Sequence, residues 1–422
     1  MRILVEPSDY PALRNLGDIA MQQTAVGRIA NFWPTADIRV FTESPQSLPV
    51  YAPNVQGMSN IGRKAWMSGI LPQRGVPHYI RHWERRFRSR HLQLGRRLAK
   101  YNLKLRSNRR TTALTGFLEA VQTTDLLVVC GMGGITDTFE QYALDLLDTI
   151  ALVKENGKAF VAMLGQGFGP IDDRTFLAER AREILPLVDF IALREPRASL
   201  PLLKRMNVDL SHVNVTGDDA LGIASRGRGS VLGNCLGINL RMASYSNVTI
   251  EFLTQLRQVI LPFARARGVT LRPLPSSLYI EEADSNSIAG LTEGYERICI
   301  GNVTEPETLT RQVRDCRIAI VGSYHAGVYA LAQGVTIVGL YNSDYYRDKF
   351  LGLEALFGVG VFPVDLSVPD WTTNLIIKAN EAWDTAPACR LPLIEAADRQ
   401  IESGWKAYNK LRALVDSRFG RV

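Results

Sequence analysis

The sequence predicts an α/β protein built from two doubly wound, Rossmann-like domains that face each other across a cleft. Three observations support this class: short apolar runs bounded by Gly or Pro, longer helical patterns between them, and a second series of the same kind that begins near residue 233. Near-continuous apolar strands are typical of parallel sheets that are covered on both faces. At 422 residues, the chain is long enough for two such cores.

The first series of apolar runs predicts the sheet of the first domain. Its predicted strands cover residues 3–5, 37–40, 126–129, 159–164 and 190–193. Helical patterns lie between most of them, for example over residues 138–154 and 175–185. Strands that alternate with helices favour a parallel sheet.

The second series predicts another sheet of the same type. Its strands are expected over residues 236–240, 269–272, 298–300, 318–321 and 336–340, with a helix over 250–267. The polar, Gly-rich stretch 225–230 suits a hinge between the two domains. In such sheets ligands bind beyond the carboxyl ends of the strands, so we expect the site in the cleft.

These patterns divide the chain into three parts. We expect an N-terminal domain over residues 1–227 and a C-terminal domain over residues 231–390. Residues 391–422 are predicted to form an amphipathic helix, beginning at Leu391, that packs back on the body of the protein.

The positive charge is concentrated in one segment. The chain has a net charge of +7, but residues 74–110 contain thirteen Lys or Arg and one acid, so that this segment carries +12 and the rest of the chain −5. We predict a helical insertion here, with one helix over residues 83–98. Its basic face is either an ordinary solvated surface or a contact for anionic lipid headgroups or an acidic substrate. Because no nucleic-acid-binding motif accompanies the charge, we expect no nucleic acid partner.

The composition excludes several classes of protein and indicates a cytoplasmic one. With 46% hydrophobic and 22% charged residues, a disordered or disulfide-scaffold chain is not expected. No apolar run approaches the roughly 20 residues of a membrane span, and charge comes too early for a secretory signal. The five cysteines are scattered without a C-x-x-C pair, which indicates reduced thiols.

Gly-centred turns in the first half mark an expected rim of the cleft. The candidate rim residues in these turns are Asn15, Gly17, Asp18, Gly133, Gly134, Gln166 and Gly167. Backbone N–H groups at such turns hold anions at helix N-termini, although tight turns require Gly in any case. Asp218, expected at the end of the last strand of this domain, is a further candidate that would shape the hinge.

A fourth turn, over residues 321–327, carries a histidine. His325 is expected on the first turn of a helix that follows the strand 318–321, facing the cleft. Its pKa near neutrality suits general acid–base chemistry. The alternative is a structural histidine that only donates or accepts hydrogen bonds.

Two arginines are expected at strand ends on opposite walls of the cleft. Arg194 follows the strand 190–193, and Arg241 ends the first strand of the second domain. Guanidinium groups bind carboxylate or phosphate with two hydrogen bonds, so this pair suits a small dianion. Alternatively, both arginines pair with nearby acids such as Glu195. There is no P-loop and no Asp-x-Asp motif, and we expect neither a metal nor a cofactor.

The ordered set of motifs resembles the polysaccharide pyruvyl transferase family. The matching pieces are residues 15–18, 131–134, 165–170, 194–199, 218–220, 237–241, 323–326, 334–339 and 349–350. They cover most of the chain in the family's order and exclude the basic segment and the C-terminal helix.

The resemblance implies a fold like that of the two-domain, GT-B-like glycosyltransferases. It also implies transfer of pyruvate from phosphoenolpyruvate to two hydroxyls of one sugar, which forms a cyclic ketal. The implied general acid is His325, and the implied donor-binding residues are Arg194, Arg241, Ser323, Tyr324 and Lys349. The implied acceptor is a saccharide precursor of a cell-surface polysaccharide or exopolysaccharide, lipid-linked at the inner face of the plasma membrane, where the basic segment would contact anionic lipid.

The chain departs from the family pattern two residues before the histidine. Family members usually have an arginine where this chain has Ser323, and a missing cation would cost about 2–4 kcal/mol unless it is replaced. Arg347 or Lys349 of the following helix are the candidates to replace it. Two other functions stay open: a glycosyltransferase that uses a nucleotide sugar, and a non-catalytic binding protein.

Overall fold

The structure, a computed structural model, confirms the predicted α/β class with two parallel sheets. It describes residues 1–8, 14–43, 46, 48–52, 55–71, 75–104, 108–155, 157–299 and 301–420. The chain passes from the first sheet to the second within residues 216–234, which contain the predicted hinge.

The first sheet has the strand order β3-β2-β1-β4-β5-β6-β7 and is parallel throughout. Its strands are β1 (Arg2–Glu6), β2 (Asp37–Thr42), β3 (Gln56–Ser59), β4 (Leu126–Val129), β5 (Phe160–Gln166), β6 (Phe190–Leu193) and β7 (Val213–Val215). All residues of β4, β5 and β6 are buried. This is why they appear in the sequence as continuous apolar runs.

The second sheet has the order β12-β11-β10-β8-β9 and is also parallel. Its strands are β8 (Cys235–Asn239), β9 (Leu271–Pro273), β10 (Cys316–Val321), β11 (Thr336–Tyr341) and β12 (Val361–Asp365). The strand predicted over 298–300 does not form: Ile298 makes one isolated bridge to Leu271, and residue 300 lies outside the described residues.

Helices cover both sheets. They are α1 (Leu16–Phe32), α2 (Leu48–Tyr51), α3 (Ile61–Met67), α4 (His78–Arg90), α5 (Leu92–Lys104), α6 (Asn108–Thr123), α7 (Glu140–Lys154), α8 (Phe176–Ile184), α9 (Ser199–Arg205), α10 (Leu221–Ala224), α11 (Ile250–Arg267), α12 (Asp284–Thr292), α13 (Pro306–Arg314), α14 (Tyr324–Ala332), α15 (Asp344–Phe357) and α16 (Trp371–Arg418). Helix α11 has the predicted bounds.

The last helix is longer than predicted. It begins at Trp371 rather than Leu391 and continues through Pro387 and Pro392. Prolines normally end helices because they lack an N–H group and clash with the preceding turn, but both are accommodated within α16. Buried alanines and leucines along α16 pack on the second sheet. The same helix returns to the first half, where the Tyr408 hydroxyl donates to Asp219 at 2.8 Å.

The basic insertion forms two helices where one was predicted. Helix α4 ends at Arg90, and His91, with φ −120° and ψ 59°, breaks the helical path before α5. Several of the arginines are buried and paired with acids of the first domain. Arg85 donates to Asp148 at 2.7 Å and to Asp145 at 2.8 Å, so part of the positive charge serves to dock the insertion.

The two halves contact each other where α1 begins. The Leu16 N–H donates to the Ser276 carbonyl at 2.9 Å, and the Leu278 N–H donates to the Arg14 carbonyl at 2.7 Å. The Tyr329 hydroxyl of α14 also donates to the Leu16 carbonyl, at 3.3 Å. These bonds bring the beginning of α1 against the second half, beside the carboxyl ends of its strands.

Candidate active site

A cavity of about 500 Å³ lies between the carboxyl ends of the strands of the two sheets. Ten of the residues predicted from the sequence line it: Asn15, Asp18, Gly133, Gly134, Arg194, Arg241, Ser323, Tyr324, His325 and Lys349. Four others are not among the lining residues: Gly17, Gln166, Gly167 and Asp218. The fold therefore brings the candidate acid and both arginines to one cavity.

His325 is buried at the beginning of α14, after β10. Its Nε2 atom lies 3.9 Å from Asp18 Oδ1 and 3.9 Å from Asp218 Oδ2. No described side chain or backbone group hydrogen-bonds this Nε2, although buried polar groups are normally satisfied. Burial, followed by the charges of Arg194 and Lys349, holds the pKa of His325 well below its usual value. In the empty cavity the imidazole is therefore neutral at pH 7.

Gly17 leaves the space that His325 occupies. A Cβ atom at residue 17 would lie 1.9 Å from Cγ of the imidazole, so any side chain here would displace it. The N–H groups at this helix start are not free to bind an anion, because Asn15 Oδ1 accepts from Gly17 N at 3.1 Å and from Asp18 N at 3.4 Å. The turn therefore makes room for the histidine. It does not have the anion-binding role that the motif suggested.

Arg194 lies in a slot between two other glycines of the predicted rim. A Cβ at Gly133 would be 2.4 Å from Arg194 Nη2, and one at Gly167 would be 2.8 Å from its Nε. The guanidinium carbon is 4.4 Å from the centre of the Tyr324 ring. The Asp218 carboxylate is 3.7 Å from Arg194 Nη1, which is too long for a hydrogen bond.

Lys349 projects from α15 into the same end of the cavity. Its Nζ donates to the Tyr345 hydroxyl at 2.5 Å and is 3.8 Å from the centre of that ring. Burial and the neighbouring charge of Arg194 hold the pKa of Lys349 well below its usual value. Arg347, the other candidate to replace the missing arginine, is not a lining residue and pairs with Asp344 at 2.6 Å.

Arg241 lines the cavity but is already bound by protein groups. Its Nε and Nη2 donate to Asp284 at 2.6 and 3.1 Å, and Nη1 donates to the Tyr245 hydroxyl at 3.2 Å. Nη2 also donates to Ser276, whose hydroxyl shares a hydrogen bond of 2.7 Å with Ser323. Pairing with an acid, the alternative left open by the sequence, thus applies to Arg241, and the acid is Asp284.

The remaining predicted residues lie behind the cavity wall. The Gln166 amide donates to the carbonyls of Cys130 at 2.5 Å and Leu164 at 3.0 Å, which ties the ends of β4 and β5 together. Burial raises the pKa of Asp218, whose Oδ1 accepts from the Ala220 N–H at 2.8 Å. Glu195 does not pair with Arg194; it accepts from the backbone N–H groups of residues 198 and 199.

An aromatic wall of the cavity was not predicted from the sequence. It consists of Phe139, Tyr245, Tyr345 and Tyr346. Tyr245 stacks on Tyr346 with ring centres 6.1 Å apart. Phe139 contacts the Tyr245 ring edge-on, with ring centres 5.1 Å apart. The adjacent tyrosines of α15, in the first turn after β11, were a usable signal because that position faces the cleft.

No metal-binding cluster of three or more His, Cys, Asp or Glu occurs within the described parts of the chain. In those same parts, no helix has the length and apolar character needed to cross a bilayer.

The sequence matches the family model of polysaccharide pyruvyl transferases over residues 15–344. The match covers the strand-end turns that carry Asn15, Gly133, Arg194, Arg241 and His325, and it ends before Lys349. The chain belongs to this family. Family membership makes it a transferase of polysaccharide biosynthesis. No curated protein matches the sequence.

Solved structures with the same architecture include sugar-nucleotide epimerases and GT-B glycosyltransferases. The UDP-GlcNAc 2-epimerase of Methanocaldococcus jannaschii aligns with a TM-score of 0.57 at 13% identity, over 97% of this chain and 99% of the epimerase. A glycosyltransferase of Rickettsia africae aligns with a TM-score of 0.52 at 10% identity, over 100% and 99%. The calicheamicin glycosyltransferase CalG4 aligns with a TM-score of 0.53 at 12% identity, over 100% and 98%. At these identities the likeness confirms the GT-B-like fold.

Proposed function

We propose that this protein transfers the pyruvyl group of phosphoenolpyruvate to two hydroxyls of one sugar and forms a cyclic ketal in a cell-surface or exopolysaccharide precursor. The observation that carries the proposal is a buried histidine that shares one cavity with a buried arginine and a half-buried lysine. His325, Arg194 and Lys349 all line it. Such a cluster suits a small anion that must accept a proton.

The two cations match the two anionic groups of the donor. Arg194 has no hydrogen bond to a carboxylate among the described residues, so its planar donors are available for a carboxylate or phosphate. Lys349 supplies a second, compact positive charge. It takes the place of the family arginine at the position of Ser323, whose hydroxyl is engaged with Ser276.

The reaction balances with the groups present. A proton from His325 goes to the methylene carbon of the donor, which becomes a methyl group. One sugar hydroxyl bonds to C2, the C2–O bond to phosphate breaks, and the second hydroxyl then closes the ring. The two hydroxyl protons end on the imidazole, which restores it, and on the released phosphate. No metal or redox partner takes part in these steps.

The bound donor itself makes His325 an acid. Burial, followed by the charges of Arg194, Lys349 and Arg241, lowers the pKa of His325. An anionic donor between these cations offsets their charges, so the pKa of His325 rises toward the range in which it holds a proton at neutral pH. Asp18 and Asp218, 3.9 Å from Nε2, stabilise the imidazolium once it forms.

Phosphate release from phosphoenolpyruvate in the presence of an acceptor glycan tests the function. We expect His325→Gln to lower kcat by about 10²–10⁴-fold, the usual contribution of a positioned acid. His212→Gln is the matched control. His212 lies just before β7 and does not line the cavity. Unchanged phosphate release by the His325 variant would contradict the assignment.

A nucleotide-sugar glycosyltransferase is the second candidate, because the fold is shared with such enzymes. A thermal-shift screen separates the two. Stabilisation by phosphoenolpyruvate supports pyruvyl transfer, and stabilisation by a nucleoside diphosphate alone supports the glycosyltransferase. If the protein binds a donor but never turns it over, it is a non-catalytic family member.

The proposed acceptor is lipid-linked, and the insertion is its membrane contact at the cytoplasmic face. Trp83 on α4 and Tyr101 on α5 are 65% and 68% exposed. Arg97 and Lys100, on the same helix as Tyr101, are exposed. Exposed aromatics with flanking cations are typical of helices that lie on anionic membranes.

Flotation with vesicles tests this contact. Wild-type protein should bind vesicles that contain phosphatidylglycerol and not pure phosphatidylcholine, and binding should fall as salt rises. Trp83→Ala with Tyr101→Ala should weaken binding, whereas Trp405→Ala, at a tryptophan of α16 that is 43% exposed, should not. Equal binding by both variants would exclude the insertion as the membrane surface.

A further inference from the structure

The cavity has two ends of opposite chemical character. At the buried end lie Arg194, His325 and Lys349, and burial dominates the lowered pKa values of the last two. At the open end lie Glu281, which is exposed, and Glu282, which is half-buried. Among the described lining residues, Arg and Lys occur only at positions 194, 241 and 349, and Arg241, which contacts the open end through Tyr245, is already paired with Asp284.

The aromatic wall described above extends to this open end. The Tyr245 hydroxyl donates to Glu282 Oε2 at 3.1 Å and accepts from Arg241 at 3.2 Å. Asp284 in turn fixes Arg241 with two hydrogen bonds. A buried ion pair therefore orients the Tyr245 ring and one oxygen of Glu282, and leaves the other Glu282 oxygen to accept a further hydrogen bond.

We propose that this open end is the acceptor subsite and that it selects a sugar unit without an anionic group. The inference rests on the proposed function and adds the class of acceptor. The aromatic wall packs against the C–H face of a sugar ring, as aromatic side chains do in small-molecule sites. Glu281 and Glu282 accept hydrogen bonds from its hydroxyls. Ionised carboxylates only accept hydrogen bonds, so they favour hydroxyl or ammonium groups and repel a uronic acid or sugar phosphate.

The cavity is large enough for both substrates. Its volume of about 500 Å³ falls within the usual range of about 300–1,000 Å³ for small-molecule sites. A three-carbon donor at the cationic end leaves room for one hexose. The hydroxyls of that hexose then face the buried end, where His325 acts.

Direct binding of simple glycosides tests the inference without turnover. Saturation-transfer NMR would compare methyl hexosides with methyl hexuronides of the same configuration, in the presence of phosphoenolpyruvate. We expect the neutral glycosides to bind at least tenfold more tightly. Equal binding of the two series, or no binding of either, would overturn the inference.

Two variants locate the selectivity. Glu281→Gln combined with Glu282→Gln should weaken binding of the neutral glycosides by at least fivefold and reduce the discrimination against hexuronides by a similar factor. Glu296→Gln, an exposed glutamate of the second half that pairs with Arg265, is the matched control and should change neither. If the control and the double variant behave alike, the two glutamates do not form the subsite.

A parallel assay separates this inference from the proposed function. Phosphate release from phosphoenolpyruvate is measured with the same glycosides. If neutral glycosides bind selectively but no phosphate is released, the pyruvyl transfer is wrong and the sugar subsite stands. If phosphate is released equally with neutral and anionic acceptors, the transfer stands and the selectivity is wrong.

Discussion

The two walls of the cavity each contribute one buried arginine after a strand, and these arginines are bound very differently. On the second-half wall, Arg241 donates to Asp284 at 2.6 and 3.1 Å. On the first-half wall, Arg194 has Asp218 at 3.7 Å and an aromatic face at 4.4 Å. The same residue type at equivalent places therefore serves structure on one wall and is available to a ligand on the other. The difference lies in the acid that the fold places beside each guanidinium.

The largest effect is expected on the structural wall. Arg241→Met leaves Asp284 buried without its cation, which should lower the free energy of unfolding by about 3–5 kcal/mol. The midpoint of thermal unfolding measures it. Adding Asp284→Asn should restore part of the loss, because a neutral amide is less costly to bury than a charge. An unchanged midpoint would mean that Arg241 is not the structural arginine.

The opposite pattern is expected on the ligand wall. Arg194→Met should weaken phosphoenolpyruvate binding by about 1.5–3 kcal/mol, the usual value of hydrogen bonds to charged groups, and change the unfolding midpoint much less than Arg241→Met does. Calorimetric titration and thermal unfolding measure the two quantities. Arg197→Met is the control, since Arg197 is partly exposed and lies 3.8 Å from Asp348. The comparison fails if Arg194→Met destabilises the fold without weakening phosphoenolpyruvate binding.

The glycine that seats the imidazole sharpens the comparison further. Gly17→Ala places a Cβ 1.9 Å from the His325 ring, and a displacement of about 1 Å at a reacting group can cost 10²-fold in rate. Gly27→Ala on the same helix meets no atom within 4 Å and should keep full activity with a small gain in stability. Phosphate release and unfolding midpoints distinguish them. Equal activity of the two variants would show that catalysis does not depend on the space that Gly17 leaves for the His325 ring.

A smaller, pH-dependent effect follows from the charges of both walls. Because the pKa of His325 is held low in the empty cavity, binding an anionic donor at pH 7 should be accompanied by uptake of a fraction of a proton. Titrations in buffers of different ionisation enthalpy measure it. The uptake should shrink as the pH falls toward the low pKa of the free site, since the imidazole is then already protonated, and kcat should fall as pH rises above the pKa in the complex.

The imidazole is the group that takes up this proton. His325→Gln should therefore abolish most of the proton uptake. Uptake that is identical in wild type and variant would show that another group takes up the proton.

The sequence predicted the elements that hold the site better than the contacts within it. The runs 126–129 and 190–193 were found because both faces of these strands are covered, which forces continuous apolar sequence. Strand β3, over Gln56–Ser59, has no such run because it is a largely exposed edge strand. Only the last part of helix α16, from Leu391, was predicted, although the helix begins at Trp371 and packs its buried leucines and alanines on the second sheet.

Within the site, strand ends could be recognised but not the partners of their side chains. Position after a strand placed Arg194, Arg241 and His325 at one cavity. The position after a strand did not show that Arg241 pairs with Asp284, which lies 43 residues further along the chain. It also did not show that the glycines of the predicted rim make room for His325 and Arg194.

The amino-acid sequence by itself determined the two parallel sheets, their helices and the chemistry available at the strand ends, because burial on both faces and turn geometry act locally along the chain. The tertiary structure alone decided which charges are paired and which face the cavity. Electrostatic interactions depend on a few ångströms between groups that are distant in sequence, so the availability of Arg194 and the pairing of Arg241 with Asp284 were decided by how distant segments of the chain pack together.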